Sequence, residues 1–315
     1  MSIQNITELI GNTPLLKIED KIEYYAKIEG NNLFGSVKDR AAKYLVENAY
    51  NDRKIEKNTT IIESSSGNFG IALAGMCKIK GNPFVCVIDP NITEANKKII
   101  ALFGAEIIIA SKPDENGNYV KNRIQIVKDY IGKHKGAYWT NQYENEYVWK
   151  AYFSLGEELC NELERIDYVF IAVSTCGTLA GTSQKIKDQF PECKIIAVDI
   201  AGSQIFECNK RKKYISGIGA GFVPLNLTHA KYDDYIIVEE MNAISECNRL
   251  LSKGIVAGAS SGAVAYAIQN YKGYSTNLKN RNIVGIFPDR GERYLDTIYN
   301  SEWCRKIVMG GENIS

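Results

Sequence analysis

Lys38 is the residue whose position in this chain most clearly suggests chemistry. It lies in the segment of residues 29–40 and comes just before a long helical pattern over residues 41–50. A lysine at the start of a helix lies near the positive end of the helix dipole, and Arg40 adds a second positive charge nearby. Both effects favour the neutral amine, a nucleophile that forms Schiff bases with carbonyl compounds. An ordinary surface lysine would also explain this segment if it stood alone.

Two polar segments each follow an apolar run and open a helix. Residues 64–70 follow the apolar residues 60–62, and residues 173–181 follow the apolar run 168–173. A strand, a turn of small polar residues and a helix direct backbone N–H groups and hydroxyls at one point, which suits an anion. We expect a carboxylate at the first segment and a small phosphate ester at the second, whose spacing matches neither a P-loop nor a dinucleotide fingerprint. A serine-capped loop is the plain alternative for either segment.

Ser260 lies in a third segment of this kind, residues 258–262, ahead of a helical pattern over residues 263–270. A neutral hydroxyl that faces a pyridine nitrogen leaves the ring unprotonated. Such a ring suits elimination at Cβ better than chemistry that needs a stronger electron sink. Taken alone, this segment is a weak signal.

The elements that must position these segments alternate along the chain. Apolar runs at residues 84–88, 106–109, 168–173, 194–198 and 282–287 are separated by helical stretches. This alternation predicts mostly parallel sheets that are covered by helices on both faces. With 315 residues and 45% apolar content, the chain can bury a large core and divide into two α/β lobes.

Together and in this order, the lysine segment and the three polar segments resemble the fold-type II pyridoxal-phosphate enzymes, specifically the cysteine synthase and cystathionine β-synthase family. The resemblance extends from residues 10–15 through residues 217–221 to residues 294–296. It implies pyridoxal 5'-phosphate as the cofactor. It also implies an α/β fold like that of the tryptophan synthase β subunit, with two three-layer α/β/α lobes and mostly parallel sheets.

The division into lobes is a further implication of the resemblance. Residues 1–37 and 148–315 would form the larger, cofactor-binding lobe. Residues 38–147 would form a smaller, mobile lobe that closes over the substrate and excludes water from a reactive species. The family also suggests a homodimer.

Carried over residue by residue, the resemblance assigns roles at one cofactor site. Lys38 is expected to carry the cofactor and to remove the α-proton of the substrate, Asn68 to bind the phenolic oxygen of the cofactor, and Ser260 to face its pyridine nitrogen. Five consecutive residues are expected to hold the cofactor phosphate: Ser174, Thr175, Cys176, Gly177 and Thr178. Three are expected to hold the substrate carboxylate: Ser65, Ser66 and Gln142.

Ser174 and Cys176 depart from the usual phosphate loop of cysteine synthases, which reads Gly-Thr-Gly-Gly-Thr. In this respect the chain is similar to one branch of the family, whose distinctive arginine, tyrosine and serine correspond to Arg123, Tyr143 and Ser174. A phosphoserine substrate brings a dianionic leaving group and an incoming glutamate brings two carboxylates, and both call for an arginine fork and hydroxyl donors. Sulfide would need neither. A solvent-facing Arg123 and a plain packing Tyr143 are the alternatives.

That branch implies a β-replacement reaction. O-phospho-L-serine and L-glutamate would give N-(2-amino-2-carboxyethyl)-L-glutamate and phosphate through an aminoacrylate, as a step of siderophore biosynthesis that leads to L-2,3-diaminopropionate. One alternative is a cysteine synthase that uses O-acetylserine or O-phosphoserine, and another is a serine or threonine dehydratase. A scaffold that has lost turnover is a third, but the presence of Lys38, Asn68 and Ser260 argues against it.

Composition argues against several other classes of protein. The net charge of +1 gives no indication of a nucleic-acid or anionic-membrane partner. The N-terminus lacks a targeting pattern and no apolar stretch reaches the length of about 18 residues of a membrane span, so we expect a cytoplasmic protein. The two histidines, His134 and His229, cannot form a histidine-rich metal site, and the eight cysteines lack paired metal spacing, so no metal is expected.

Overall fold

The computed structural model describes residues 3–114, 119–207, 211–275, 278 and 280–308. The strands in this part of the chain are β1 Leu15–Ile18, β2 Tyr24–Ile28, β3 Ile61–Ser64, β4 Phe84–Ile88, β5 Glu106–Ile109, β6 Tyr138–Trp139, β7 Tyr168–Ala172, β8 Lys194–Ile200, β9 Asp234–Val238 and β10 Ile283–Phe287. The α-helices are α1 Lys38–Asn51, α2 Asn68–Lys80, α3 Glu94–Leu102, α4 Val120–Lys133, α5 Tyr147–Lys150, α6 Phe153–Glu162, α7 Gly177–Gln189, α8 Glu240–Leu251, α9 Ala259–Asn270 and α10 Ser301–Val308. The chain forms two compact units. The first contains Met1–Ile10 and Lys38–Ala151, and the second contains Gly11–Val37 and Tyr152–Ser315.

The first unit is built on a parallel sheet with the strand order β5-β4-β3-β6. Every residue of β3 and β4 is buried, as expected for the central strands of a parallel sheet that is covered on both faces. Helix α2 is also buried over most of its length. Gly70 allows this close packing, because a Cβ atom there would lie 2.7 Å from the Ser65 carbonyl oxygen and 3.1 Å from Cys86 Sγ.

The second unit is built on a six-stranded sheet with the order β1-β2-β10-β7-β8-β9. Only the edge pair β1–β2 is antiparallel, and the other four pairs are parallel. Helices α8 and α9 pack on each other, and their apolar residues join those of the strands in one buried cluster. Gly262 lies at the contact between these helices, where a Cβ atom would be 2.2 Å from the Ala243 carbonyl oxygen.

The predicted α/β class with mostly parallel sheets is confirmed. Strands β4 and β5 begin and end at the predicted residues, and the apolar runs at residues 168–173, 194–198 and 282–287 coincide with β7, β8 and β10 to within two residues. The sequence pattern missed β1, β2 and β9, and also the two-residue strand β6. A lysine interrupts β1 and the fully buried Lys27 interrupts β2, so neither is a continuous apolar run. Strand β9 does contain an apolar run, residues 235–238, at the exposed edge of the sheet.

Three helices begin earlier than their apolar patterns indicate. Helix α1 begins at Lys38, α2 begins at Asn68, and α9 begins at Ala259, one residue before Ser260. The three residues expected to contact the cofactor ring or its aldehyde therefore lie in the first turns of helices. The N–H groups of a first turn have no partners within the helix, and the positive end of the helix dipole lies there.

Candidate active site

Lys38 is the first residue of α1 and is partly buried. The two residues that follow it, Asp39 and Arg40, are buried, at 0% and 3% exposure. The helix then packs through a stripe of small and branched apolar residues that includes Ala42, Leu45 and Ala49. Lys38 is thus fixed at its backbone by a helix whose apolar face lies in the core of the first unit.

The turn after β3 has the layout expected of a carboxylate site. Ser65 N–H donates to the Val87 carbonyl oxygen at 3.1 Å, and Ser65 Oγ accepts from Gly70 N–H at 3.0 Å. As an acceptor in that bond, the hydroxyl keeps its proton for donation to another group. A Cβ atom built on Gly67 would meet no atom within 4 Å, so the space beside the turn is open. Among the described residues, no side chain caps α2 at Gly67.

Glu63, which the sequence analysis did not select, holds Gln142 at this turn. Its fully buried carboxylate accepts from Thr140 Oγ1 at 2.5 Å and from Gln142 N–H at 3.1 Å. Gln142 Nε2 then donates to the Ser64 carbonyl oxygen at 2.7 Å. Burial raises the pKa of Glu63, and these hydrogen bonds oppose the shift. The signal for this residue was a glutamate directly after the apolar residues 60–62.

The Ser66 hydroxyl already makes three hydrogen bonds within the protein, unlike the Ser65 hydroxyl. Its hydroxyl donates to Asp89 Oδ2 at 2.9 Å and accepts from Asp89 N–H at 3.0 Å and from Arg123 Nη1 at 2.8 Å. Arg123 Nη1 also lies 3.1 Å from Asp89 Oδ2. The Asp89 carboxylate therefore links two predicted substrate residues, Ser66 and Arg123. The sequence analysis gave Asp89 no role.

Arg123 and Tyr143 also lie together. The Arg123 side chain is only 9% exposed, so it is not a solvent-facing residue of α4. Burial raises the pKa of the Tyr143 hydroxyl, and the guanidinium of Arg123, which is hydrogen-bonded to it, opposes that shift. The phenol is therefore a neutral hydrogen-bonding group beside a buried cation.

In the second unit, the segment after β7 forms the predicted phosphate loop. Cys176 adopts a left-handed conformation with φ of 61°, and α7 begins at the next residue, Gly177. Thr178 lies in the first turn of α7 and is 6% exposed. In the described structure no side chain caps this helix, and its first turn carries no acidic residue. The start of a 13-residue helix is thus presented to an anion.

A second glycine-containing segment, residues 217–221, lies against this loop. The Gly219 carbonyl oxygen accepts from Ser174 Oγ and from Lys213 Nζ, each at 3.2 Å, and Gly219 N–H donates to the Val173 carbonyl oxygen at 2.7 Å. Burial lowers the pKa of Lys213, which Asp199 opposes. Burial raises the pKa of Asp199 to about 6.

Ser260 is the second residue of α9 and is 4% exposed. Gly258 precedes the helix, and a Cβ atom at this position would lie 1.9 Å from Asp289 Oδ1, so only glycine fits there. The neighbouring Ser261 hydroxyl is buried, and within the described residues it has no hydrogen-bond partner. Ser260 is thus held at a helix start that packs closely on the Asp289 carboxylate.

The predicted site residues fall into two sets, one in each unit. The first unit holds Lys38, Ser65, Ser66, Asn68, Arg123, Gln142 and Tyr143, and the second holds Ser174, Thr175, Cys176, Gly177, Thr178 and Ser260. Within the described residues, no group of three or more His, Cys, Asp or Glu side chains could hold a metal ion. A search of the same residues finds no helix that is both long and apolar enough to cross a membrane.

A comparison with protein families shows which cofactor the chain uses. A family model described as pyridoxal-phosphate dependent enzyme matches residues 6–289. The chain belongs to this family. The predicted cofactor, pyridoxal phosphate, is thereby confirmed, and so is the prediction of an enzyme.

Individual proteins of known activity match nearly the whole chain. The N-(2-amino-2-carboxyethyl)-L-glutamate synthase of Ralstonia nicotianae is 40% identical over 98% of this chain and 93% of its own length. The solved O-acetylserine dependent cystathionine β-synthase of Helicobacter pylori has a TM-score of 0.87 at 29% identity, over 95% of this chain and all of that one. A solved O-ureido-L-serine synthase has a TM-score of 0.86 at 26% identity, over 100% of this chain and 98% of that one.

The residues present fit the cofactor. A phosphate ester suits the start of α7, where Cys176 in the left-handed conformation turns the chain into a helix that no described side chain caps. A pyridine nitrogen suits the buried hydroxyl of Ser260. The amine of Lys38 suits the aldehyde of the cofactor.

Proposed function

We propose that this enzyme replaces the phosphate of O-phospho-L-serine with the amino group of L-glutamate, giving N-(2-amino-2-carboxyethyl)-L-glutamate and phosphate. The observation that carries the proposal is the buried guanidinium of Arg123, hydrogen-bonded to Ser66 and Tyr143. A buried arginine beside a neutral phenol suits a carboxylate-bearing nucleophile, whereas sulfide needs no such group. The 40% identity to a synthase of this name supports the same reaction.

The residues of the first unit would handle the amino-acid substrates. Ser65 and Gln142 bind the α-carboxylate of the phosphoserine at the turn after β3. Lys38 removes the proton from its Cα and later returns a proton there. Arg123 and Tyr143 bind a carboxylate of the incoming L-glutamate and so direct its nitrogen towards Cβ.

The second unit would hold the cofactor. Residues 174–178 bind its phosphate at the start of α7, and the Ser260 hydroxyl donates a hydrogen bond to its pyridine nitrogen. When bound, pyridoxal phosphate supplies the electron sink that allows the Cα proton and the β-phosphate to leave. Closure of the smaller lobe, which excludes water, is part of the same proposal.

The test is a turnover experiment with the purified, cofactor-loaded protein. O-phospho-L-serine is supplied alone, with L-glutamate or with sulfide, while phosphate release and product mass are followed. Release of phosphate that accelerates with L-glutamate and yields the glutamate adduct supports the proposal. Consumption of sulfide with cysteine as the product identifies a cysteine synthase, and a keto acid with ammonia identifies a dehydratase.

Three broader predictions belong to this proposal. The product would serve as a precursor of L-2,3-diaminopropionate in siderophore biosynthesis. The enzyme would act as a homodimer, which sedimentation velocity tests directly, and in the cytoplasm, which cell fractionation tests.

A further inference from the structure

Asp89 completes the network around Arg123, although the proposed reaction gives it no role. It follows β4 directly, at the carboxyl end of the strand, and its side chain is 10% exposed. Its Oδ2 accepts from Ser66 Oγ and lies 3.1 Å from Arg123 Nη1, while its Oδ1 accepts from Asn91 N–H at 2.9 Å. Both carboxylate oxygens are therefore engaged, and the carboxylate is fixed in place.

The hydroxyl of Ser66 links Asp89 to Arg123 and uses all of its hydrogen-bonding capacity to do so. Its proton goes to Asp89, and its oxygen accepts from the Asp89 backbone and from Arg123. A hydroxyl has one proton and two lone pairs, so these three bonds use its full capacity. Ser66 thus fixes the distance between Asp89 and Arg123, and a ligand that bound it directly would have to break one of these bonds.

Arg123 bonds Tyr143 as well as Ser66 and Asp89, yet one of its N–H donors remains without a partner among the described residues. Its Nη1 is held by Ser66 and Asp89, whereas its Nε is buried and has no hydrogen-bond partner among the described residues. A guanidinium presents five N–H donors and binds carboxylates through pairs of them. A buried N–H donor without a partner is unfavourable, so the Nε of Arg123 indicates a place for an anionic ligand.

We propose that Asp89 is a specificity-determining residue of the nucleophile site, where it positions Arg123 and cancels part of its charge, so that a singly charged carboxylate is accepted and a phosphate dianion is disfavoured. This inference rests on the proposed function, in which the enzyme takes up L-glutamate and releases phosphate. Without Asp89, the released phosphate would compete with L-glutamate for the guanidinium.

The preference for a carboxylate over a phosphate dianion follows from the charge of Asp89 in a poorly solvated site. An anion at Arg123 is attracted by the guanidinium and repelled by the Asp89 carboxylate, and both effects are twice as large for a dianion as for a carboxylate at the same place. The charge of Asp89 therefore lowers the affinity for a dianion by twice as much in free energy as the affinity for a carboxylate. Water screens this repulsion weakly, because the side chains of both residues are about nine-tenths buried. The preference therefore depends on the charge of Asp89 rather than on its shape.

The experiment compares the cofactor-loaded wild type with Asp89→Asn, which keeps the shape of the side chain and removes its charge. Calorimetric titrations measure the dissociation constants of L-glutamate and of inorganic phosphate, at a pH where phosphate is mainly dianionic. We expect the ratio of the phosphate constant to the glutamate constant to fall by about tenfold in the variant. We also expect phosphate to become a stronger competitive inhibitor against L-glutamate.

Asp129→Asn is the matched control, because Asp129 is an exposed residue of the same helix as Arg123, hydrogen-bonded to Gln125. It makes the same change in net charge and should leave the ratio as it is in the wild type. Asp89→Glu, which keeps the charge and moves it, should weaken L-glutamate binding while phosphate remains disfavoured. If Asp89→Asn gives too little folded protein, the outcome with Asp89→Glu decides, and loss of the preference there overturns the inference.

The results separate this inference from the proposed function. An unchanged ratio in Asp89→Asn, in a protein that does consume L-glutamate, overturns the inference alone. Equal weakening of both ligands points to a purely structural Asp89 and also overturns it. A wild type that consumes sulfide and ignores L-glutamate overturns the proposed function, and the inference with it.

Discussion

Ser174 Oγ donates a hydrogen bond to the Gly219 carbonyl oxygen over 3.2 Å. Because Gly219 N–H is bonded to the Val173 carbonyl oxygen, the two segments are tied at both backbone groups of the glycine. Lys213 Nζ contacts the same carbonyl oxygen and adds a positive charge beneath the segment. The direction of the Ser174 hydroxyl is therefore set by residues outside the phosphate loop.

Replacement of Ser174 by alanine tests its assignment to the substrate. The backbone N–H groups of the loop still hold the cofactor phosphate, so the affinity for the cofactor should change little. On binding L-glutamate the Ser174 hydroxyl would turn from the Gly219 carbonyl oxygen to a carboxylate of the substrate, so its loss should raise the KM for L-glutamate about tenfold. Cofactor titration and steady-state kinetics measure the two effects. Ser252→Ala, which removes a hydroxyl that donates to the Arg249 carbonyl oxygen at its own helix end, serves as the control. A large loss of cofactor affinity with an unchanged KM would contradict the assignment.

The left-handed conformation of Cys176 predicts a difference between two deletions of its side chain. Cys176→Ala and Cys176→Gly both remove the buried sulfur, but only glycine relieves the unfavourable positive φ. We expect the glycine variant to unfold with a free energy about 1 kcal/mol higher than that of the alanine variant. Urea denaturation of both measures this, and a more stable alanine variant would contradict it.

Tyr143→Phe should weaken the nucleophile site selectively. Burial raises the pKa of Tyr143, so its hydroxyl remains a neutral hydrogen-bonding group across the working pH range. Without it, we expect the KM for L-glutamate to rise about tenfold and the KM for O-phospho-L-serine to change much less. Initial rates with each substrate varied in turn separate the two constants. Equal effects on both would show that Tyr143 acts through general packing.

Asp199 should make stability depend on pH. Burial raises its pKa from 3.8 to about 6, so the folded chain binds this proton more tightly than the unfolded chain. The stabilisation is complete below about pH 4 and is lost as the pH rises through about 6, with a loss of up to about 3 kcal/mol. Asp199→Asn should therefore flatten the free energy of unfolding against pH over this range. Urea denaturation at a series of pH values checks this, and identical slopes would falsify it.

The sequence was informative about the loops after β3 and β7, because each lies between a buried strand and a helix. The residues after β3 and those after β7, each in its own sheet, could be selected because small polar residues there follow an apolar run and open a helix. Asp89 follows β4 in the same way and was open to the same argument. It was missed because the resemblance assigned it no role.

Other contacts at the candidate site could not be predicted from the sequence. Ser66 and Arg123 are 57 positions apart, and nothing local to either one indicates that Asp89 joins them. Glu63 looks like an ordinary polar residue at a strand end, yet it is fully buried. The pairing of Lys213 with Gly219 depends on the path of the chain between β8 and β9, where no regular pattern repeats.

The bonds made by Glu63 also determine when the carboxylate site can exist. The bond from Thr140 to Glu63 closes a loop of 77 residues, and β6 pairs with β3 only when that loop has closed. Contacts so distant in sequence form late, because the entropy of the intervening chain must be lost first. A chain growing on the ribosome would thus have no carboxylate site until residue 142 had emerged, and a refolding chain should recover substrate binding later than it recovers its helices.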